Sequence, residues 1–264
     1  MNVFITGAAG GLGRAFAVEC GRRGYNMLLT DVNADGLESL KRGLENRFDV
    51  SITSIPCELT DSDSVDMVFK KLNAFGIEFD MLLNIAGLDF EGSFADQDRE
   101  KLVKIVTLND AATLRITHAV LSHRRIGKPF YMVFVSSLAS LFPMPLKATY
   151  AASKRFLYDF ATSLRQELRD DNVNILTLCP GGMATKDDTV EAIEAQGFWG
   201  YITTNPLESV ASGTLDRVFN DNAVYIPGKF NRLLATFGKL LPRQFIAYCI
   251  FKRWSYTQQK WLNA

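Results

Sequence analysis

At 264 residues, with 47% hydrophobic and 22% charged side chains, the chain has the bulk of one large globular domain and little room for two. Its 29 basic and 29 acidic residues cancel to a formal net charge of zero, which argues against a nucleic-acid-binding protein. Cys20, Cys57, Cys179 and Cys249 are widely spaced with no CxxC pair, so neither a zinc site nor a disulfide framework is expected, and reduced thiols suit a cytoplasmic setting.

In chain order, Val3–Thr6 reads as a buried strand, which leaves no room for a targeting peptide before it. A helix follows over Leu12–Arg22, a strand over Met27–Thr30 and a helix over Leu37–Leu44. Strands are then expected at Ser51–Pro56, Met81–Ile85, Tyr131–Ser136, Val173–Leu178 and Ala223–Ile226, separated by helical segments around 62–75, 99–122 and 147–169. About seven apolar strands joined by helices predict an α/β fold: a doubly wound, mostly parallel Rossmann-type sheet, with ligands at the carboxyl ends of its strands. No apolar run is long enough for a membrane span. We divide the chain into a dinucleotide-binding and catalytic part, 1–228, and a helical C-terminal extension of the same domain, 229–264.

The first strand runs into Thr6-Gly7-Ala8-Ala9-Gly10-Gly11-Leu12-Gly13. Glycines at such a turn let backbone N–H groups approach a pyrophosphate at a helix N-terminus. The second strand ends at Asp31, where a carboxylate can accept from both adenosine ribose hydroxyls and would repel a 2′-phosphate. NAD is therefore the favoured cofactor; Arg14, Arg22 and Arg23 keep NADP open, and a helix cap is the competing reading of Asp31. Tyr150 and Lys154 share one face of a helix at i and i+4. A phenol titrating near pH 10 becomes a usable base when a neighbouring ammonium favours the phenolate.

Ser137 lies at the end of the preceding strand, and with it the series resembles the short-chain dehydrogenase/reductase family. The matches are Thr6 to Gly13, Asn84-Ile85-Ala86-Gly87, Asn109, Ser137, Tyr150 with Lys154, and Pro180-Gly181 with Thr185, in the family's order over residues 1 to about 185. The resemblance implies hydride transfer between a nicotinamide cofactor and an alcohol or ketone. Tyr150 would be general acid/base, Ser137 the partner of the substrate oxygen, and Lys154 the ribose ligand that lowers the tyrosine pKa. Asn109 would hold a water that links Lys154 to solvent. Gly7, Gly10, Gly11, Leu12, Gly13, Asp31, Glu58, Asn84, Ala86, Gly87, Pro180, Gly181 and Thr185 would line the cofactor, with Tyr150 and Lys154. It also implies a homodimer or homotetramer. Three departures stand out: Ile85 for a second Asn, Glu58 for an Asp near the adenine, and Asp110-Ala111-Ala112 for Leu-x-Gly. A non-catalytic dinucleotide sensor on the same fold is the competing class, and retention of all four catalytic positions argues against it.

Phe142, Met144 and Leu146 are expected to wall an apolar substrate pocket. Acids followed by Phe198, Trp199, Gly200 and Tyr201 read either as a lid with aromatic anchors or as a helix packing its aromatics inward. From Asn222 to Ala264 there is no Asp or Glu, while Lys229, Arg232, Lys239, Arg243, Lys252, Arg253 and Lys260 are basic and two amphipathic helices flank Pro242. Their apolar faces fit pocket closure or a subunit interface, peripheral contact with an anionic membrane, or recognition of an acidic substrate.

Overall fold

The computed structural model describes residues 1–185 and 197–262. Seven strands form one parallel sheet: β1 (Asn2–Thr6), β2 (Asn26–Asp31), β3 (Ile52–Pro56), β4 (Met81–Asn84), β5 (Phe130–Val135), β6 (Val173–Leu178) and β7 (Val224–Tyr225). Their order is β3-β2-β1-β4-β5-β6-β7. The period of two along a strand explains why both faces are apolar. Val3 and Ile5 enter a core with Leu12, Phe16 and Leu37, whereas Phe4 enters the opposite core, where it stacks on Phe79 at 5.4 Å.

Helices α1 (Gly11–Arg22), α2 (Ala34–Glu45) and, later in the chain, α8 (Leu207–Phe219) supply apolar residues to the first core. The second is built by α3 (Ser62–Ala74), by a long helix comprising α4 (Arg99–Val106) and α5 (Thr113–Leu121), and by α6 (Ala148–Glu167). Side-chain caps set several starts: Asn33 accepts from Gly36 N–H at α2, Asp61 from Asp63 and Ser64 at α3, and Asp98 from Lys101 at α4. Among the described residues the remaining α-helices are α7 (Phe198–Thr203), α9 (Lys229–Phe237) and α10 (Arg243–Leu262), and no helix is long and apolar enough to cross a membrane.

Three expectations change in detail. The helix expected over 99–122 contains a π segment at Thr107–Ala112, an added residue per turn that 3.6-residue periodicity does not register. Strand β4 stops at Asn84 and not Ile85, because the Ile85 N–H is taken by the Thr6 hydroxyl at 3.0 Å. The last strand contracts to Val224–Tyr225.

Candidate active site

The sheet order places β1 beside β4 while their crossovers run in opposite directions, so the carboxyl ends of these strands open a crevice. It is a cleft of about 530 Å³, lined by the glycine-rich loop, Asp31, Glu58, residues 85–89, Ser137, Tyr150, Lys154 and the 180–185 turn.

Backbone proximity explains the glycines. Gly7 has φ +65°, and a Cβ there would sit 2.7 Å from Ala86 Cα. At Gly13 it would sit 2.1 Å from the Gly7 carbonyl oxygen, so helix α1 could not approach the loop. Gly10, Gly11 and Leu12 begin that helix, whose first turn carries no acid and turns unpaired N–H groups toward the cleft. Thr185 lies directly over Gly11, closing the loop from the far side.

Asp31 accepts from Ala9 N–H and Asn33 N–H, both at 3.0 Å. The cap of α2 is Asn33, so the capping reading of Asp31 falls away. Among the arginines, Arg22 and Arg23 pair with Glu19 at the far end of α1, and Arg23 also with Asp216, away from the cleft. Arg14 remains near the loop, donating to the Ala9 carbonyl at 2.8 Å. Glu58 lines the cleft and accepts from the Thr60 hydroxyl at 2.7 Å.

Asn84 departs from expectation. Its amide turns into the helix–sheet interface and donates to Thr117 Oγ1 at 3.1 Å, and it is absent from the cleft lining. The neighbouring backbone instead reaches the cleft at Ala86 and Gly87. Thr6, passed over as a site residue, holds this turn: its hydroxyl accepts from Ile85 and Ala86 N–H at 3.0 and 3.2 Å.

Tyr150 and Lys154 emerge from the first turns of α6, and Ser137 follows β5 and accepts from Ala139 N–H. The Lys154 side chain is buried; its Nζ lies 5.7 Å from the centre of the Tyr150 ring and donates to the Val135 carbonyl. Burial pushes the Lys154 pKa down to about 8, opposed by the carboxylates of Asp110 and Asp89. Burial and then Asp89 push Tyr150 up to about 12, opposed by a hydrogen bond with Ser137 and by the charge of Lys147.

Asn109 is fully buried in the π segment. Its carboxamide exchanges hydrogen bonds with both backbone groups of Leu88 and donates to Ser153 Oγ at 3.0 Å. It therefore ties the loop after Gly87 to α6. Next to it, Asp110 has a buried Oδ1 with no hydrogen-bond partner, and burial raises its carboxyl to about 6 while Lys154 lowers it.

Other supports go beyond the residues singled out from the sequence. Lys147 pairs with Asp89 and Glu91 and lies over the Tyr150 and Trp254 rings at 5.7 and 5.5 Å. Its position three residues before Tyr150 was the available signal. Asn205 Oδ1 accepts from Gly181 N–H and from Asn231 of α9, both at 3.1 Å, which buttresses the Pro180-Gly181 turn. Phe142, Met144 and Leu146 do not line the cleft; its apolar walls come from Leu88, Leu108, Val135 and Met183. The Phe142 ring is instead turned against Gly238. The expected lid at 186–205 falls partly on 186–196, outside the described residues, as do the Phe198 and Trp199 side chains; Gly200 is buried and Tyr201 exposed.

A family model described as short chain dehydrogenase matches residues 1–194. The sulfoacetaldehyde reductase of Chromohalobacter salexigens is 34% identical over 181 residues, 68% of this chain and 71% of that protein. A very-long-chain 3-oxoacyl-CoA reductase of Aspergillus clavatus is 30% identical over 173 residues, 65% of this chain, and the match spans about half of that protein's length at 50%. L-sorbose reductase from Gluconobacter frateurii, in a structure complexed with NADPH and L-sorbose, has the same fold, with a TM-score of 0.75 at 21% identity over 86% of this chain and 94% of that one. The chain belongs to the short-chain dehydrogenase family.

Proposed function

We propose that the protein is an oxidoreductase that moves hydride between a nicotinamide dinucleotide and an apolar alcohol or ketone, with Tyr150 as general acid/base. The observation that carries this reading is convergence: Ser137, Tyr150 and Lys154 line the same cleft as the glycine-rich loop and Asp31. A dinucleotide fits these residues. The first turn of α1 offers N–H groups to a pyrophosphate, and Asp31, whose two oxygens each take one backbone donor, keeps lone pairs for ribose hydroxyls. Bound there, the cofactor would supply the hydride acceptor or donor.

The protein's own residues handle the proton. In the oxidative direction Tyr150 Oη takes the substrate hydroxyl proton, and in reduction it returns one to the carbonyl oxygen, while Ser137 hydrogen-bonds that oxygen. Free Tyr150 holds its proton too tightly, with a pKa of about 12 set by burial and Asp89, and what opposes this is the hydrogen bond with Ser137 and the charge of Lys147. Asp31 favours NAD, although the L-sorbose reductase structure holds NADPH. The apolar walls at Leu88, Leu108 and Met183 suit a substrate with an apolar portion, and Lys147 beside the Tyr150 ring is already matched by Asp89 and Glu91. The very long acyl chain in the name of the fungal relative, a very-long-chain 3-oxoacyl-CoA reductase, is in keeping with an apolar portion next to the reacting carbonyl, its charge being confined to the CoA group.

A panel of apolar alcohols and ketones, assayed with NAD, NADP and their reduced forms, tests the proposal. Turnover of at least one member, faster with the NAD couple, is expected. Dinucleotide binding without turnover of any member would favour the sensor reading.

A further inference from the structure

The two C-terminal helices meet the rest of the protein on one side. Asn231 is fully buried and donates to the Thr203 and Pro227 carbonyls, and Ala235 is buried beside it. Gly238 abuts the Phe142 ring, and the Trp254 ring lies 5.5 Å from Lys147 Nζ. Phe142 and Lys147 both belong to the segment between Ser137 and Tyr150, so the tail is pinned beside the catalytic residues.

The other side is open. Leu233, Phe237, Leu240, Leu241, Phe245, Tyr248 and Phe251 are exposed, from 49% at Leu241 to 77% at Leu240. Spacings of three and four residues string them along one side of each helix. Exposed Lys229, Arg232, Arg243 and Lys252 lie among them, on a stretch from Asn222 onward without a single acid. A two-fold contact with a second copy would set this basic face against itself with no carboxylate from the same stretch between. Apolar area flanked only by cations is instead what an anionic bilayer complements, because lipid tails take the first and headgroups the second.

We propose that the outer face of α9 and α10 is a docking surface for anionic phospholipid bilayers, which seats the protein with its catalytic cleft close to the lipid interface. This docking is independent of the catalytic reading, since lipid binding is measured without turnover.

The test is flotation of the full chain with phosphatidylcholine vesicles and with vesicles that also contain phosphatidylglycerol. The protein floats with the anionic vesicles at low salt, stays behind with neutral ones, and is released by high salt. Two triple variants, Phe237→Ser with Phe245→Ser and Phe251→Ser, and Arg232→Glu with Arg243→Glu and Lys252→Glu, each lower the bound fraction about tenfold or more. An unchanged thermal transition shows that each remains folded. Should either misfold, quenching of the parent chain's tryptophan fluorescence by brominated anionic lipid, and its loss in salt, take its place. Absence of flotation at low salt overturns the proposal. So does flotation that both folded variants retain, or an oligomer that the apolar variant dissociates while the parent ignores vesicles.

Discussion

The Lys154 ammonium donates to the Val135 carbonyl at 2.9 Å, so the lysine of α6 is fixed to the end of the strand that leads into Ser137. The contact is reinforced by Ser136, whose hydroxyl donates to the Lys154 carbonyl at 2.7 Å. Strand end and helix start are thereby locked together, and the catalytic positions of each are set by backbone as much as by side chains.

Burying Lys154 makes stability depend on pH. Its folded pKa of about 8 lies below the ordinary 10.5, so between these values the folded protein holds fewer protons at this site than the unfolded chain. The cost of burying the charge is fully present below pH 8 and is relieved as pH rises through that window. Denaturant unfolding of the wild type and Lys154→Met across the window should show the wild type gaining about 3 kcal/mol relative to the variant. A difference that stays flat with pH would mean that Lys154 titrates normally.

Thr6 is expected to matter through the turn it holds. Thr6→Val keeps the shape and removes the acceptor from two N–H groups, Ile85 and Ala86. A stability loss of about 1–3 kcal/mol and a higher dissociation constant for the dinucleotide should follow, with Thr6→Ser restoring both. Wild-type cofactor affinity in the valine variant would remove Thr6 from the site.

Asp31 should select the cofactor. Asp31→Asn preserves an acceptor for Ala9 N–H while removing the charge, so the ratio of NADP to NAD affinity should rise roughly tenfold or more. Titration of both dinucleotides by fluorescence gives the ratio, and an unchanged value would show that selection lies elsewhere.

Much of this was legible in the sequence for a physical reason: short apolar runs buried on both faces leave a parallel sheet as their economical arrangement, and its switch point locates the cleft. Gly7 and Gly13 were legible because close backbone approach leaves a residue type behind, and Gly87 because the Lys154 and Asn109 side chains crowd the place of a Cβ. Direction was not. The position of Asn84 was marked by its motif, but which way its amide points is decided by Thr117, 33 residues on. The Asn205–Asn231 support of Gly181 joins separate elements that no local period connects. Phe142 and Leu146 read as pocket walls because they lie between two catalytic residues, yet neither lines the described cleft, and the Phe142 ring packs against Gly238.

The measurement that tests the central claim most directly is turnover by Tyr150→Phe on whichever alcohol or ketone the wild type accepts, with cofactor affinity measured alongside. Removing only the phenolic oxygen should lower kcat by about 10²–10⁴-fold while the dinucleotide dissociation constant stays nearly unchanged. Near-normal kcat in a folded Tyr150→Phe protein would contradict the assignment of the proton to this residue.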